Sequence, residues 1–146
     1  MVPTVEWTNG VVRLLDQSRL PEHVEFLDCR DYRAVADAIR ELKVRGAPAI
    51  GVTAALGVAL GAQAVSATEF PAFAQALLPI CDHLAATRPT AVNLFWAIDR
   101  MKKKLASLSA QSVPAVKASL LAEAQAILDE DIALCKAMGK HGAELI

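Results

Sequence analysis

Between Arg45 and Glu69 the chain carries no charged residue. A stretch of that length must be buried, either in a bilayer or inside a protein core. From Ala47 to Val65 the strongly apolar side chains are Ile50, Val52, Leu56, Val58, Leu60 and Val65. The others are Ala, Gly, Pro, Thr and Gln, which gain little in lipid. Gly57 and Gly61 have the GxxxG spacing of membrane helix dimers, but small residues equally let helices pack closely in a core. Lys43 and Arg45 on one flank satisfy the positive-inside rule, so charge does not decide the matter. Composition does, and the expectation is a buried helix in the core of a soluble protein with no membrane partner.

The rest of the composition agrees with a packed domain. The chain has 146 residues, 54% apolar and 21% charged, with mean hydropathy +0.34. An intrinsically disordered chain is excluded. Aromatics are only 5% while alanine numbers 28, so helices should dominate over strands. The apolar share is high for one small domain, which implies surface covered by something further. The net charge is −1, from 15 basic and 16 acidic residues, which gives no footprint for nucleic acid. The one basic cluster, Arg100, Lys102, Lys103 and Lys104, suits a helix C-terminus. Cys29, Cys81 and Cys135 are odd in number and form no CxxC pair, so neither disulfides nor a zinc site is expected. The opening MVPTVEWTNG lacks the basic and apolar regions of a signal peptide, and a cytoplasmic location is expected.

Along the chain, Thr4–Trp7 reads as a strand, Asn9-Gly10 as a two-residue hairpin turn and Val11–Leu15 as the returning strand. Leu20-Pro21-Glu22 breaks the chain, and Val24–Leu27 reads as a third strand. Asp28 or Asp31 can cap a helix over Tyr32–Val44, in which Val35, Ile39 and Leu42 recur on one face. Pro48 belongs in the first turn of the next helix. A third helix opens near Pro71 and runs to Leu84. Thr87–Thr90 is a loop, a fourth helix covers about 91–108, and a last one starts near Pro114 and extends towards Lys140. The predicted fold class is α+β: residues 1–28 a small antiparallel meander, residues 29–146 a bundle of about five helices.

Two loops combine an arginine with a helix start. In Arg45-Gly46-Ala47-Pro48, glycine lets the backbone approach a ligand and proline pre-sets the first turn. The free N–H groups and helix dipole there favour an anion, and arginine adds a planar charged fork. Thr87-Arg88-Pro89-Thr90 again places an arginine just before a helix, although Thr90 could serve only as an N-cap. Nothing else suggests catalysis. His23, His83 and His141 show no metal-ligand spacing, and His141, between Gly139 and Gly142, reads as a helix-end residue. Asp129, Glu130 and Asp131 read as a solvated face, and Cys81 and Cys135 as inert core thiols. No dinucleotide fingerprint, P-loop or nucleophile elbow occurs.

Four blocks carry a resemblance. VRGAPAIGVTAALGVALG (Val44–Gly61) and TRPTAVNLFWAIDRM (Thr87–Met101) closely resemble signatures of the methylthioribose-1-phosphate isomerases. LLDQSRLP (Leu14–Pro21) and GKHGAELI (Gly139–Ile146) are similar to further blocks in the same order. The resemblance implies a metal- and nucleotide-independent aldose–ketose isomerase of methionine salvage, which converts 5-methylthioribose 1-phosphate to 5-methylthioribulose 1-phosphate. It assigns substrate contacts to Arg45, Gly46, Ala47 and Arg88. In the family a Rossmann-like domain follows and holds the catalytic cysteine and aspartate. Neither motif occurs here, so the resemblance implies an N-terminal half that needs a C-terminal catalytic half, in cis or as a second chain. It further implies a homodimer when complete. Close relatives are ribose-1,5-bisphosphate isomerases and non-catalytic regulatory subunits of a translation initiation factor.

Overall fold

The computed structural model describes residues 4–144 except 42 and 45; side chains are described to residue 138, except at 135. The expectations placed on Leu42, Arg45, Cys135, Gly139, His141 and Gly142 therefore lie outside the described residues or side chains. Three strands, β1 (Val5–Thr8), β2 (Val11–Leu15) and β3 (Phe26–Cys29), form an antiparallel sheet in the order β1-β2-β3. Asn9 and Gly10 both take positive φ, 50° and 77°, which is the mirror-image turn that matches strand twist. Along β2, Val12 and Leu14 face the core while their neighbours face outward.

The third strand lies two residues later than the alternation around Val24 suggests. Val24 is exposed, and the strand runs on to Cys29 because Cys29 pairs with the buried Val12. Glu25 still accepts the Asp16 N–H at 2.8 Å, so the preceding segment follows the sheet without extending it.

Five helices follow: α1 (Tyr32–Arg40), α2 (Ala47–Ala64), α3 (Phe70–Ala85), α4 (Val92–Ala106) and α5 (Val113–Glu144). Asp31 is the cap of α1, its carboxylate accepting the Ala34 N–H at 2.8 Å, whereas Asp28 pairs with Arg13 across the sheet. α1 stops at Arg40 rather than reaching Val44. The Lys43 N–H closes onto the Ala38 carbonyl, and the Lys43 carbonyl accepts the Gln17 N–H. This tertiary bond fixes the exit direction more firmly than the apolar period could. α3 continues through Pro79, whose position is exposed. Its buried side chains Phe73, Leu77, Ile80, Cys81 and Leu84 form one stripe.

α2 is the axis of the domain. It is long and apolar enough to cross a membrane, yet 72% of it is buried within the protein. It packs against α1, α3, α4, α5 and the first two strands. A helix apolar all round has no solvent face to spare, and this is why the others gather around it. Its glycines set the spacing. A β-carbon on Gly57 would lie 2.9 Å from Val35 Cγ1, and one on Gly61 would lie 2.7 Å from Ile80 Cγ2. Thr53, fully buried, donates its hydroxyl to the Ala49 carbonyl at 2.7 Å. At the far end Lys117 of α5 donates to the Val65 and Gln63 carbonyls at 2.7 and 3.3 Å, where the helix dipole favours a cation.

α5 packs through Val116, Leu120, Ala124, Ile127 and Leu128. Beyond them Ile132, Leu134 and Met138 are exposed. Arg100 of α4 ties the two helices together: Nε meets Glu123 at 2.7 Å and an Nη meets Glu130 at 2.7 Å. Its guanidinium also lies over the Trp96 ring, 5.7 Å from the centroid. Lys103 and Lys104 stand in the last turn of α4 as the dipole requires. The acidic run is thus not purely solvated, since Glu130 is half of this ion pair.

Candidate functional site

The site begins at the N-termini of α2 and α4. Gly46 caps α2 with φ +92° and ψ 131°, a conformation available to glycine, and offers no side chain to the first turn. Pro48 lacks an N–H, so the free donors of that turn are on the residues beside it. α4 starts after Ala91, which likewise provides no side-chain cap. Thr90 is therefore not the N-cap. Each helix leaves its first-turn N–H groups for another acceptor.

The two ends open into one cavity of about 430 Å³. Gly46, Ala47 and Ile50 line it from α2, and Arg88, Thr90, Val92 and Asn93 from the loop and α4. The Thr87-Arg88-Pro89-Thr90 segment is held by two local bonds. The Thr87 hydroxyl donates to the Leu84 carbonyl at 2.6 Å, and the Ala91 N–H to the Arg88 carbonyl at 3.0 Å. Arg88 is half-buried and has no carboxylate partner among the described residues. The cavity thus combines two positive helix ends with an uncompensated guanidinium, an arrangement suited to a dianion.

Three of the four expected site residues, Gly46, Ala47 and Arg88, meet in this cavity. The fourth, Arg45, lies outside the described residues. The residue missed from sequence is Asn93. It stands in the first turn of α4 and lines both this cavity and a second, more apolar one beside it. An amide just after the Arg88-Pro89 loop was the available signal.

Among the described residues the cavity lining contains no carboxylate, histidine or thiol. The described thiols are elsewhere, and burial pushes both Cys29 and Cys81 up to about 11. Neither can act as a thiolate near neutral pH. Among the described residues no group of His, Cys, Asp or Glu could hold a metal ion.

Comparison with known proteins places this geometry. Residues 43–146 match the model of the Initiation factor 2 subunit family. The chain is 55% identical to a methylthioribose-1-phosphate isomerase of Syntrophotalea carbinolica, over 99% of the chain and 42% of that protein. It is 52% identical to the isomerase of Geobacter metallireducens, over 98% of the chain and 41% of the relative. Among solved structures, 5-methylthioribose 1-phosphate isomerase from Pyrococcus horikoshii superimposes with TM-score 0.95 at 38% identity, covering all of this chain and 41% of that one. The delta subunit of translation initiation factor eIF-2B from A. fulgidus gives TM-score 0.90 at 40% identity, covering all of this chain and 42% of that one. The chain thus spans about two fifths of the length of the relatives it matches. A three-stranded sheet followed by five helices is the N-terminal part of their common fold. By sequence and by structure alike, the chain belongs to the initiation factor 2 subunit family and resembles the N-terminal part of its methylthioribose-1-phosphate isomerases.

Proposed function

We propose that this chain is the substrate-binding half of an aldose–ketose isomerase that converts 5-methylthioribose 1-phosphate to 5-methylthioribulose 1-phosphate in methionine salvage, in the cytoplasm. The observation that carries the reading is the shared cavity: two uncapped helix starts and Arg88 around one space. The phosphate ester is the charged handle of such a substrate. The N–H groups near Ala47 and Val92 donate to its oxygens, and Arg88 and Arg45 neutralise it. The phosphate blocks simple opening of the sugar ring, so the reaction needs acid assistance. Among the described residues that line the cavity there is no carboxylate, histidine or thiol for that task. In this reading the chemical step falls to a C-terminal half, in cis or as a second chain, in an assembly that dimerises when complete; the chain's match to about two fifths of its relatives supports it.

The test has two arms. The purified chain should bind 5-methylthioribose 1-phosphate without turning it over. Grafted in place of the matching segment of the Syntrophotalea carbinolica isomerase, it should support turnover. Turnover by the chain alone overturns the division of labour. A graft that folds but neither binds nor isomerises overturns the isomerase reading.

The likeness to an eIF-2B delta subunit favours a second reading, a non-catalytic interaction protein. Capture of initiation factors without phosphosugar binding would support it. Tighter binding of ribose 1,5-bisphosphate than of the methylthio sugar would instead favour the bisphosphate isomerase alternative.

A further inference from the structure

The block Leu14–Pro21 lines no part of the phosphate cavity, yet it is bonded to the loop that leads into it. β2 is followed by Asp16, which is only 4% exposed. A carboxylate buried that far costs free energy unless donors meet it. Here one carboxylate oxygen accepts both the Ser18 backbone N–H, at 3.0 Å, and the Ser18 hydroxyl. These two bonds close residues Gln17–Arg19 into a single 3-10 turn. The Asp16 N–H donates to the Glu25 carbonyl at 2.8 Å, which anchors the turn to the sheet side. From the turn, the Gln17 N–H donates to the Lys43 carbonyl at 2.9 Å. The Lys43 N–H donates in turn to the Ala38 carbonyl of α1 at 3.0 Å. Both backbone groups of Lys43 are therefore held, one by α1 and one by the turn. Val44 follows and is buried, and Gly46 then opens α2 with φ +92°.

Resting on the phosphosugar reading of the cavity, we propose that Asp16 is a positioning residue for the anion site: through the Ser18 turn and the Gln17–Lys43 bond it holds the loop that sets Gly46 and the first N–H groups of α2 against the phosphate. The body of α2 is fixed by the helices packed around it. Its cap is not, because Gly46 makes no side-chain bond to the first turn. The direction of the chain entering that cap is therefore set from outside the helix. N–H donors lose strength steeply when they leave good distance and angle, so a site built from backbone donors depends on a rigid support behind it. Asp16 touches no part of the cavity, and its effect passes entirely through this chain of backbone bonds.

The test pairs calorimetric titration of the chain with 5-methylthioribose 1-phosphate and amide hydrogen exchange at Gln17 and Lys43. Asp16→Ala should weaken binding by about tenfold, the scale of a misplacement by a fraction of an ångström. It should also speed exchange at both amides beyond any loss of global stability. Asp16→Asn keeps an acceptor for Ser18 and should restore both readouts. Ser18→Ala, at an exposed position, removes one donor and should move both in the same direction by less. It decides the matter if Asp16→Ala does not fold. Gly10→Ala, with φ +77°, destabilises the same sheet without touching the turn, and should leave affinity and both amides as in the wild type. Wild-type affinity in Asp16→Ala, or an equal loss in Gly10→Ala, overturns the positioning role while the phosphosugar reading stands. A wild type that binds no sugar overturns the phosphosugar reading, and unchanged exchange at Gln17 and Lys43 in Asp16→Ala separately overturns the support of the loop.

Discussion

A β-carbon on Gly51 would lie 2.9 Å from the carbonyl oxygen of Asn93. Gly51 sits in the second turn of α2 and Asn93 in the first turn of α4, so this backbone approach is what sets two helix starts around one cavity. Gly51→Ala should push the helices apart, because a main-chain carbonyl cannot yield as a side-chain methyl can. The expected cost is about 1–3 kcal/mol, together with weaker phosphosugar binding. Urea unfolding and calorimetric titration would read the two effects. An unchanged midpoint and unchanged affinity would mean that the helices are not held at this distance.

Gly46 makes a different prediction. A β-carbon there meets nothing within 4 Å, but φ is +92°. Gly46→Ala should therefore cost backbone strain alone, about 1–3 kcal/mol, and misplace the free donors of α2. Gly10→Ala, in the hairpin turn with φ +77°, is the control. It should lower stability while leaving sugar binding intact. Equal loss of binding in both variants would show that the effect at Gly46 is not local to the site.

The Arg100 network should show in the acid limb of stability. The hydrogen bond from Arg100 holds the Glu130 carboxyl below its usual range. A depressed folded-state value means that the contribution is present above the unfolded value and is lost as pH falls through the folded one. Glu130→Gln should thus flatten the acid limb. Since Glu130 is exposed, the change should be small and screened by salt. Carboxyl titration by NMR would check it, and an ordinary value for Glu130 would refute the pairing.

The buried thiols predict the alkaline limb. Burial raises Cys29 and Cys81 to about 11. Their contribution is fully present below the unfolded value near 9 and declines as pH rises towards 11. In a Cys135→Ser background, an aromatic disulfide reagent at pH 8 should label neither thiol until the chain is unfolded. Rapid labelling of the folded protein would show that one of them is accessible.

Much of this fold was legible because its signals are local. Asn9-Gly10 specifies its turn by backbone preference alone. Asp31 caps α1 with its own side chain three residues from the N–H it accepts. Where the sequence reading went astray, a distant partner decided. The register of Cys29 against Val12 moved the third strand, and the Gln17–Lys43 bond ended α1 early. Asp28, an equally good cap by type, is engaged by Arg13 in the next strand.

The candidate site divides the same way. The Arg45 loop is readable as a helix start with free donors, since Gly46 and Pro48 declare it, whereas at the Arg88 loop the sequence left Thr90 open as a cap and the structure put Ala91 there instead. The sequence by itself also determined that the uncharged stretch after Arg45 must be buried, because no solvent face can be drawn on a helix apolar all round. That the α2 and α4 starts share one cavity, and that an apolar hollow lined by Trp96 and Leu134 adjoins it, was decided only by tertiary packing. Spacing along a chain fixes which side chains share a helix face. Which faces of distant helices meet depends on where backbones can touch, and here that is the absent side chain of Gly51 against Asn93.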